Sequence, residues 1–154
     1  MTTPPNTYLE LQRIEYADLN AKQKEIYNFQ KVAALLADYG FNCVKLDDDW
    51  NGADFLALHK DGRTLRVQLK ARATIDRKYE GRDVHMAFPA GSNWYLVAHD
   101  DLKRIAAETT SWLESRSWKE GGNYSSDRPS RKMLDELCRC ALGPRDLSAQ
   151  SRAG

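Results

Sequence analysis

Three polar side chains in two neighbouring strand-like segments have the types and spacing to do chemistry together. Asp54 stands in the apolar segment 53–58, and Gln68 and Lys70 stand in the segment 65–72. Because side chains alternate across a strand, Gln68 and Lys70 share one face, while the apolar residues between them take the other. If the two segments pair, a carboxylate, an amide oxygen and an ammonium group converge. That combination suits a divalent cation and a phosphate.

The chemistry that such a group could support is hydrolysis of a phosphodiester bond. This reaction requires a positioned water, neutralisation of charge on the phosphorane and help for the leaving oxygen. Mg²⁺ prefers hard oxygen ligands, which the Asp54 carboxylate, the Gln68 amide and the Leu69 carbonyl can supply. Lys70 can then stabilise the transition state or orient the attacking water. Since Gln68 is neutral, we expect weaker metal binding than at a site with two carboxylates.

The segments that position these residues are predicted to form a meander of strands. Residues 60–63 contain Asp-Gly, which is typical of a tight hairpin turn, and predict antiparallel pairing of the two segments. Residues 41–46 read as a strand before them. Residues 84–88 and 93–98 read as further strands, and 93–98 is so apolar that it is predicted to be central.

A helix is predicted before the first strand. Asn20 can cap it with Gln23 at the third position, and Gly40 is a natural stop. Glu25 falls on the apolar stripe of this helix, where a carboxylate is costly unless a positive charge answers it. This indicates a functional role, although Glu25 can also be explained as an acidic residue in a first helical turn. The stripe itself consists of Phe29, Val32, Ala33 and Leu36.

The C-terminal half predicts two more helices. The first covers 102–118, a Gly-rich loop covers 121–126, and Ser130 caps a last helix at 131–142. The polar residues 143–154 are predicted to be a disordered tail.

These elements predict one mixed α/β or α+β domain, in which helices flank a sheet. Residues 1–19 are interpreted as an N-terminal arm, 20–118 as the catalytic core, and 119–142 as a loop with a C-terminal helix.

Composition agrees with a soluble globular protein. Of the 154 residues, 42% are hydrophobic and 29% are charged. No apolar stretch is long enough for a membrane span, and the first residues lack the pattern of a signal peptide. The three cysteines have no partners at zinc spacing, so we expect idle thiols in a reducing compartment and a cytoplasmic location.

Basic charge is concentrated around and after the Gln68/Lys70 segment. Residues 60–82 hold eight Lys or Arg against three Asp or Glu, whereas 1–59 hold five against nine. Such clustering attracts a polyanion, although a solvated hairpin would explain it equally well. The predicted DNA-contacting residues are Arg66, Arg72, Arg77, Lys78 and Arg82, partly as a two-stranded ribbon, with Asn123, Tyr124 and Arg128 as a second group.

Glu25, then the run 49–54 (Asp-Trp-Asn-Gly-Ala-Asp), then Gln68-Leu69-Lys70 resembles the PD-(D/E)xK nuclease superfamily. The resemblance is to its Q-x-K branch, which includes Mrr-type restriction nucleases and a small group of homing endonucleases. The order of elements over 20 to about 118 is also similar. The chain departs from the common pattern at Ala53, in the place of the nominal Pro, and at Gln68, in the place of a carboxylate.

The resemblance implies a restriction-endonuclease-like mixed sheet flanked by helices, with Asp54, Gln68 and Lys70 in the catalytic roles. Glu25 would be the helix carboxylate that only some members use, and it could hold a metal-bound water or help to form a second metal site. The implied activity is Mg²⁺-dependent (or Mn²⁺-dependent) cleavage of double-stranded DNA by a homo-oligomer, since a double-strand break needs two sites. The alternatives are a non-catalytic nucleic-acid-binding or assembly module on the same fold, a junction or RNA nuclease, and an ordinary amphipathic hairpin.

Overall fold

The computed structural model of the chain describes residues 2–5 and 7–143. The helices and strands, in chain order, are α1 (Ala21–Ala37), β1 (Phe41–Trp50), β2 (Ala53–His59), β3 (Thr64–Leu69), β4 (Ala73–Asp76), β5 (Val84–Ala90), β6 (Asn93–Ala98), α2 (His99–Thr109), β7 (Asn123–Ser126), α3 (Arg131–Glu136) and β8 (Ala141–Leu142). Single 3-10 turns occur at Tyr16–Asp18, Arg77–Tyr79, Trp112–Glu114 and Cys138–Cys140, and a π turn at Ser117–Gly121.

The predicted fold class is confirmed: helices flank a mixed sheet. The main sheet has six strands in the order β1-β2-β3-β5-β6-β8, and β4 and β7 form a separate two-stranded sheet. Only β3 and β5 pair in parallel, while the other neighbours are antiparallel. The segment between β3 and β5 therefore crosses over, and it contains β4 and the 3-10 turn Arg77–Tyr79.

The predicted hairpin between β2 and β3 is confirmed. The N–H of His59 donates to the carbonyl of Arg63 at 2.8 Å, and the N–H of Gly62 to the carbonyl of His59 at 2.9 Å. The register places Phe55 opposite Val67.

Apolar clusters cover both faces of the sheet. Along β5, Ala87 belongs to one cluster and Met86 and Phe88 to the other, as expected of a strand that is buried on both faces. The first cluster packs α1 on the sheet through Val32, Leu36, Phe55, Ala57 and Val67. The second joins the sheet to α2, α3 and the small sheet through Ile75, Leu102, Ile105, Met133 and Leu137.

Helix α1 begins and ends where the sequence predicts. Asn20 Oδ1 accepts from the N–H of Gln23 at 2.8 Å, and Gln23 Oε1 accepts from the N–H of Asn20 at 2.9 Å. Gly40 follows the helix with φ of +86°, and a Cβ there would lie 3.1 Å from Nε2 of His59. A glycine is required at this position by both backbone conformation and space.

The predicted helix 102–118 is wrong at both ends, since α2 begins at His99 and ends at Thr109. The hydroxyl groups of Thr109 and Thr110 donate to the carbonyls of Ile105 and Ala106 at 2.7 and 2.6 Å, and Thr110 is extended. Threonine hydroxyls thus take over the last carbonyls of the helix, and the chain leaves the helical path.

Three further expectations about the C-terminal half are wrong, because long-range pairing decides them. The Gly-rich loop 121–126 contains β7, in which Tyr124 pairs with Ile75 of β4. The last helix is shorter than 131–142, since β8 pairs with β6. Strand β6 is not central, because it lies next to the two-residue edge strand β8. Of the predicted tail 143–154, residues 144–154 lie outside the described part.

None of the helices in the described part of the chain has the length and apolar character needed to cross a bilayer.

We predict that Asn20→Ala lowers the free energy of unfolding by about 1 kcal/mol, because it removes the side-chain acceptor of the α1 capping box. Urea denaturation followed by circular dichroism measures this change. Asn42→Ala, an exposed asparagine in β1, is the matched control and should leave stability nearly unchanged. Equal losses in both variants would contradict the role of the cap.

Candidate metal and phosphate site

A cleft of about 510 Å³ opens between the first turns of α1 and the ends of β2 and β3. Four of the predicted site residues line it, namely Glu25, Asp54, Leu69 and Lys70. The rest of the lining consists of Tyr16, Ala21, Lys24, Asn28, Phe29, Lys45, Phe55 and Ala71. The structure thus brings Glu25 of α1 to one cavity with Asp54, Leu69 and Lys70.

Asp54 is held in place by the strand beside it. Its Oδ2 accepts a hydrogen bond from the backbone N–H of Leu69 at 2.9 Å. On the other side, β1 bulges, because the residues between Lys45 and Trp50 have only Asp54 opposite them. A bulge beside a strand residue opens the sheet locally and leaves room for a ligand.

Burial raises the pKa of Asp54 above its usual range, and the negative charges of Asp49 and Glu25 raise it further. The Leu69 hydrogen bond and the charge of Lys70 act in the opposite direction. The carboxylate is therefore short of positive charge in the protein alone, which is the electrostatic setting that a cation would relieve.

Gln68 lies beside Asp54 on the same face of the sheet. One step beyond the last paired residues, Phe55 and Val67, the antiparallel register sets Asp54 opposite Gln68, at a Cβ separation of about 5 Å. Gln68 is buried, at 7% exposure, and does not line the cleft. Within the described residues its Oε1 has no hydrogen-bond donor.

A buried amide oxygen without a donor costs free energy, because it has lost its hydrogen bonds to water. A hard cation bound by the Asp54 carboxylate would satisfy that oxygen. The donors therefore fit Mg²⁺, because Asp54, Gln68 and Leu69 supply hard oxygens from neighbouring positions of β2 and β3. Among the described residues no three His, Cys, Asp or Glu side chains are placed to hold a metal ion together, so the amide and the carbonyl are needed to complete the set.

Lys70 follows Gln68 by two residues and lines the cleft. Its Nζ lies 5.9 Å from the centroid of the Tyr79 ring. Tyr79 is nearly fully buried, and burial, followed by the charges of Asp54, Asp76 and Asp49, raises the pKa of its hydroxyl. The phenol therefore stays protonated beside the carboxylates, and its ring supports the Lys70 ammonium.

Glu25 is not on the buried face of α1, so that expectation is wrong. Its side chain is 51% exposed and pairs with Lys45 at 3.0 Å and with Lys22 at 3.6 Å. The hydrogen bond from Lys45 holds its pKa below the usual range. The physical reason is that the cleft, not packed core, lies under the first turn of α1, while Asn28, Val32 and Leu36 form the buried stripe.

The predicted DNA-contacting residues differ in whether contacts within the protein already occupy their side chains. Arg66 is engaged, because it donates to the carbonyl of Arg82 at 2.7 Å and lies 3.7 Å from a carboxylate oxygen of Asp83. Tyr124 is also engaged, since it packs on Trp112 with ring centroids 4.8 Å apart. The exposed members are Arg72, Arg77, Lys78, Arg82, Asn123 and Arg128.

A two-stranded ribbon is present, but the basic segment 72–82 supplies only one of its two strands. It pairs β4 with β7, so Asn123 lies opposite Asp76, directly before Arg77. Asn123 and Tyr124 of β7 therefore pair with β4, the strand that Arg72 precedes and Arg77 follows. Arg77 itself lies over the Trp118 ring at 5.0 Å.

Two residues of the site were not anticipated, Lys45 and Tyr79. The need of Glu25 for a positive partner was a signal for some cation, although it did not identify Lys45. The sequence did not indicate a role for Tyr79, because the burial of this residue depends on β4 and on the turn between β1 and β2, where Gly52 packs against its ring.

We predict that Asp54→Asn leaves the metal-free protein at least as stable as the wild type at pH 7. The pKa of Asp54 is raised on folding, so the folded state holds this proton more tightly, and stability falls as pH rises through that range. The variant escapes this loss, and its advantage should vanish at pH values below the usual range of Asp. Thermal unfolding in EDTA across pH measures the effect.

Asp61→Asn is the control with the opposite sign. The backbone N–H of Arg63 holds the pKa of Asp61 below its usual range, so its charge stabilises the fold above that pH. Asp61→Asn should therefore lower the melting temperature at pH 7. An equal loss of stability in both variants at pH 7 would contradict the destabilising effect of the Asp54 charge in the metal-free protein.

Comparison of the chain with protein-family models and with curated protein sequences gave no match.

Proposed function

We propose that the chain is a Mg²⁺-dependent endonuclease that hydrolyses phosphodiester bonds of double-stranded DNA, of restriction or homing type. One observation carries the proposal: Gln68, whose buried Oε1 has no hydrogen-bond donor within the described residues, is opposite the half-buried Asp54 in the strand register, and the charge of Lys70 acts on the Asp54 carboxylate. An uncompensated amide oxygen and a carboxylate with a raised pKa are both satisfied by one divalent cation.

In this proposal Asp54, Gln68 and the Leu69 carbonyl hold Mg²⁺, and Mn²⁺ can replace it. The bound cation supplies neutralisation of negative charge on the phosphate. Lys70 donates hydrogen bonds to the phosphate oxygens as charge develops on them, or orients the attacking water. Tyr79 keeps the Lys70 ammonium at the cleft, since the two are in cation–π contact.

A site with one carboxylate and one neutral amide attracts a cation weakly. The phosphate oxygens of the substrate would add both ligands and negative charge, so the cation binds best together with DNA. Glu25 can contribute to a second metal site only after it separates from Lys45, which now holds it.

Cleavage of both strands requires two sites, and we propose that a homo-oligomer supplies them. Apolar side chains support a contact with a second copy: Leu9, Leu11 and Ile14 of the arm are 83%, 83% and 68% exposed. Strand β1 adds a long edge to the main sheet. The proposed location is the cytoplasm, where the thiols Cys43, Cys138 and Cys140 would stay reduced.

The second candidate is a non-catalytic nucleic-acid-binding or assembly module on the same fold. The ion pair between Glu25 and Lys45 and the neutral Gln68 favour it, because both reduce the negative charge that is free to hold a metal. Cleavage of a DNA junction or of RNA is chemically equivalent at this site, so the choice of substrate is an outcome of the tests below.

We predict that Asp54→Ala abolishes cleavage while the chain stays folded, because it removes the only carboxylate of the proposed Mg²⁺ set. Lys70→Ala should lower the cleavage rate about 10² to 10³-fold and change DNA affinity little, because its charge acts mainly in the transition state. Randomised duplex, junction, single-stranded DNA and RNA substrates with Mg²⁺ provide the measurement.

Matched controls for this experiment are Asp127→Ala and Lys132→Ala, which remove exposed charges away from the cleft. Retained cleavage by Asp54→Ala would exclude the mechanism. If Lys70→Ala weakens binding as much as it slows cleavage, Lys70 is a binding residue only.

We predict that Gln68→Glu binds Mg²⁺ and Mn²⁺ on the order of tenfold more tightly than the wild type in the absence of DNA, since it adds a second carboxylate to the set. Isothermal titration calorimetry measures this affinity, with Gln30→Glu, an exposed glutamine on α1, as the control. If neither the wild type nor Gln68→Glu binds Mg²⁺ or Mn²⁺, with or without DNA, the non-catalytic module is the better description.

A further inference from the structure

A second, smaller cavity lies near the proposed catalytic site. This notch, of about 160 Å³, is lined by Asp49, Asn51 and Gly52 of the β1–β2 turn and by Lys78, Tyr79 and Arg82 of the β3–β5 crossover. The side chains of Lys78 and Arg82 make no ion pair within the described residues. The one acid is engaged, because Asp49 Oδ1 accepts from the N–H of Gly52 at 2.9 Å. The notch therefore offers two cations and an amide against one carboxylate, so its net charge is positive.

Hydrogen bonds fix the backbone of the crossover segment that carries Lys78 and Arg82. Asp76 Oδ1 accepts from the N–H of Lys78 at 3.0 Å, and Asp100 Oδ2 accepts from the N–H of Gly81 at 3.1 Å. The guanidinium of Arg66 donates to the carbonyl of Arg82 at 2.7 Å. A backbone held at three points loses little further conformational entropy when a ligand binds.

The opposite wall of the notch is also fixed. Asn51 and Gly52 both have positive φ, 53° and 85°. A Cβ on Gly52 would lie 3.3 Å from the Tyr79 ring, so the turn rests directly on that ring. Asn51 of this turn lines the same cavity as Lys78 and Arg82.

Tyr79 connects the notch to the catalytic site. The Nζ atoms of Lys70 and Lys78 lie 5.9 and 5.1 Å from its ring centroid. They are therefore no more than about 11 Å apart. Phosphates of one strand recur about every 3.4 Å along the helix axis and lie farther apart along the backbone, so this distance fits close neighbours on one strand. A strand whose scissile phosphate lies at Lys70 would bring a neighbouring phosphate to the notch.

We infer that Asn51, Lys78 and Arg82 form a subsite for a backbone phosphate that neighbours the scissile one on the same strand. The ligand class is a phosphodiester, bound by an ammonium, a guanidinium and an amide. The inference rests on the proposed nuclease function. It adds to that function a fixed register, because contacts to two phosphates of one strand set which bond faces Lys70.

The test compares Lys78→Gln/Arg82→Gln with the control pair Arg131→Gln/Lys132→Gln, exposed residues of α3 that lose the same charge. Fluorescence anisotropy with a labelled random-sequence duplex, in EDTA, gives the binding constant at several salt concentrations. Each phosphate that is no longer contacted lowers the magnitude of the slope of log K against log salt by about 0.9, so the notch pair, which loses one phosphate, should lose about 0.9 and the control pair little.

Equal slopes in the two pairs would overturn the subsite, and cleavage of the duplex by the wild type with Mg²⁺ would leave the nuclease proposal standing. A reduced slope in the notch pair, with no cleavage by the wild type in Mg²⁺ or Mn²⁺, would support the subsite and overturn the nuclease. If the wild type binds no duplex at all, both proposals fall.

Discussion

The register between β2 and β3 is the constraint on which the site and the core both depend. Because side chains alternate, Phe55 and Val67 face α1 while Asp54 and Gln68 face the other way. A slip of one residue would move a carboxylate into the α1 core and the phenylalanine out of it. The apolar packing under α1 therefore fixes the polar site, and the Asp-Gly hairpin turn fixes the register from the other end.

The site is polar where packing alone would favour apolar residues. Asp54 is half-buried with one backbone donor, and Gln68 is buried with an unpaired oxygen. Stability is lost at these two residues, and the surrounding clusters compensate for it. The cost is concentrated on two residues that are opposite each other on neighbouring strands, which is why we interpret it as a binding site.

Local patterns in the sequence were sufficient for the parts of the fold that local contacts decide. The capping box at Asn20, the hairpin at 60–63 and the alternation around Gln68 each depend on residues a few positions apart, and each was predicted. Strand β7 and the end of α2 were not, because β7 forms by pairing with a distant strand and α2 ends through threonine hydroxyls. Lys45 and Tyr79 join the site by the same kind of long-range packing.

The crossover between β3 and β5 has an unusual secondary structure for a connection between parallel strands. Parallel neighbours need a connection of about a dozen residues or more, which is usually a helix that covers the sheet. Here the connection carries β4, a 3-10 turn and the basic residues of the notch, and β7 pairs with it. Its length is therefore fixed at both ends by the sheet and in the middle by β7. Changes of loop length would be absorbed more easily between β7 and α3, so the chain can vary at Asp127 and Arg128, before the buried Pro129 and the N-cap Ser130, without moving the strands that hold Asp54 and Gln68.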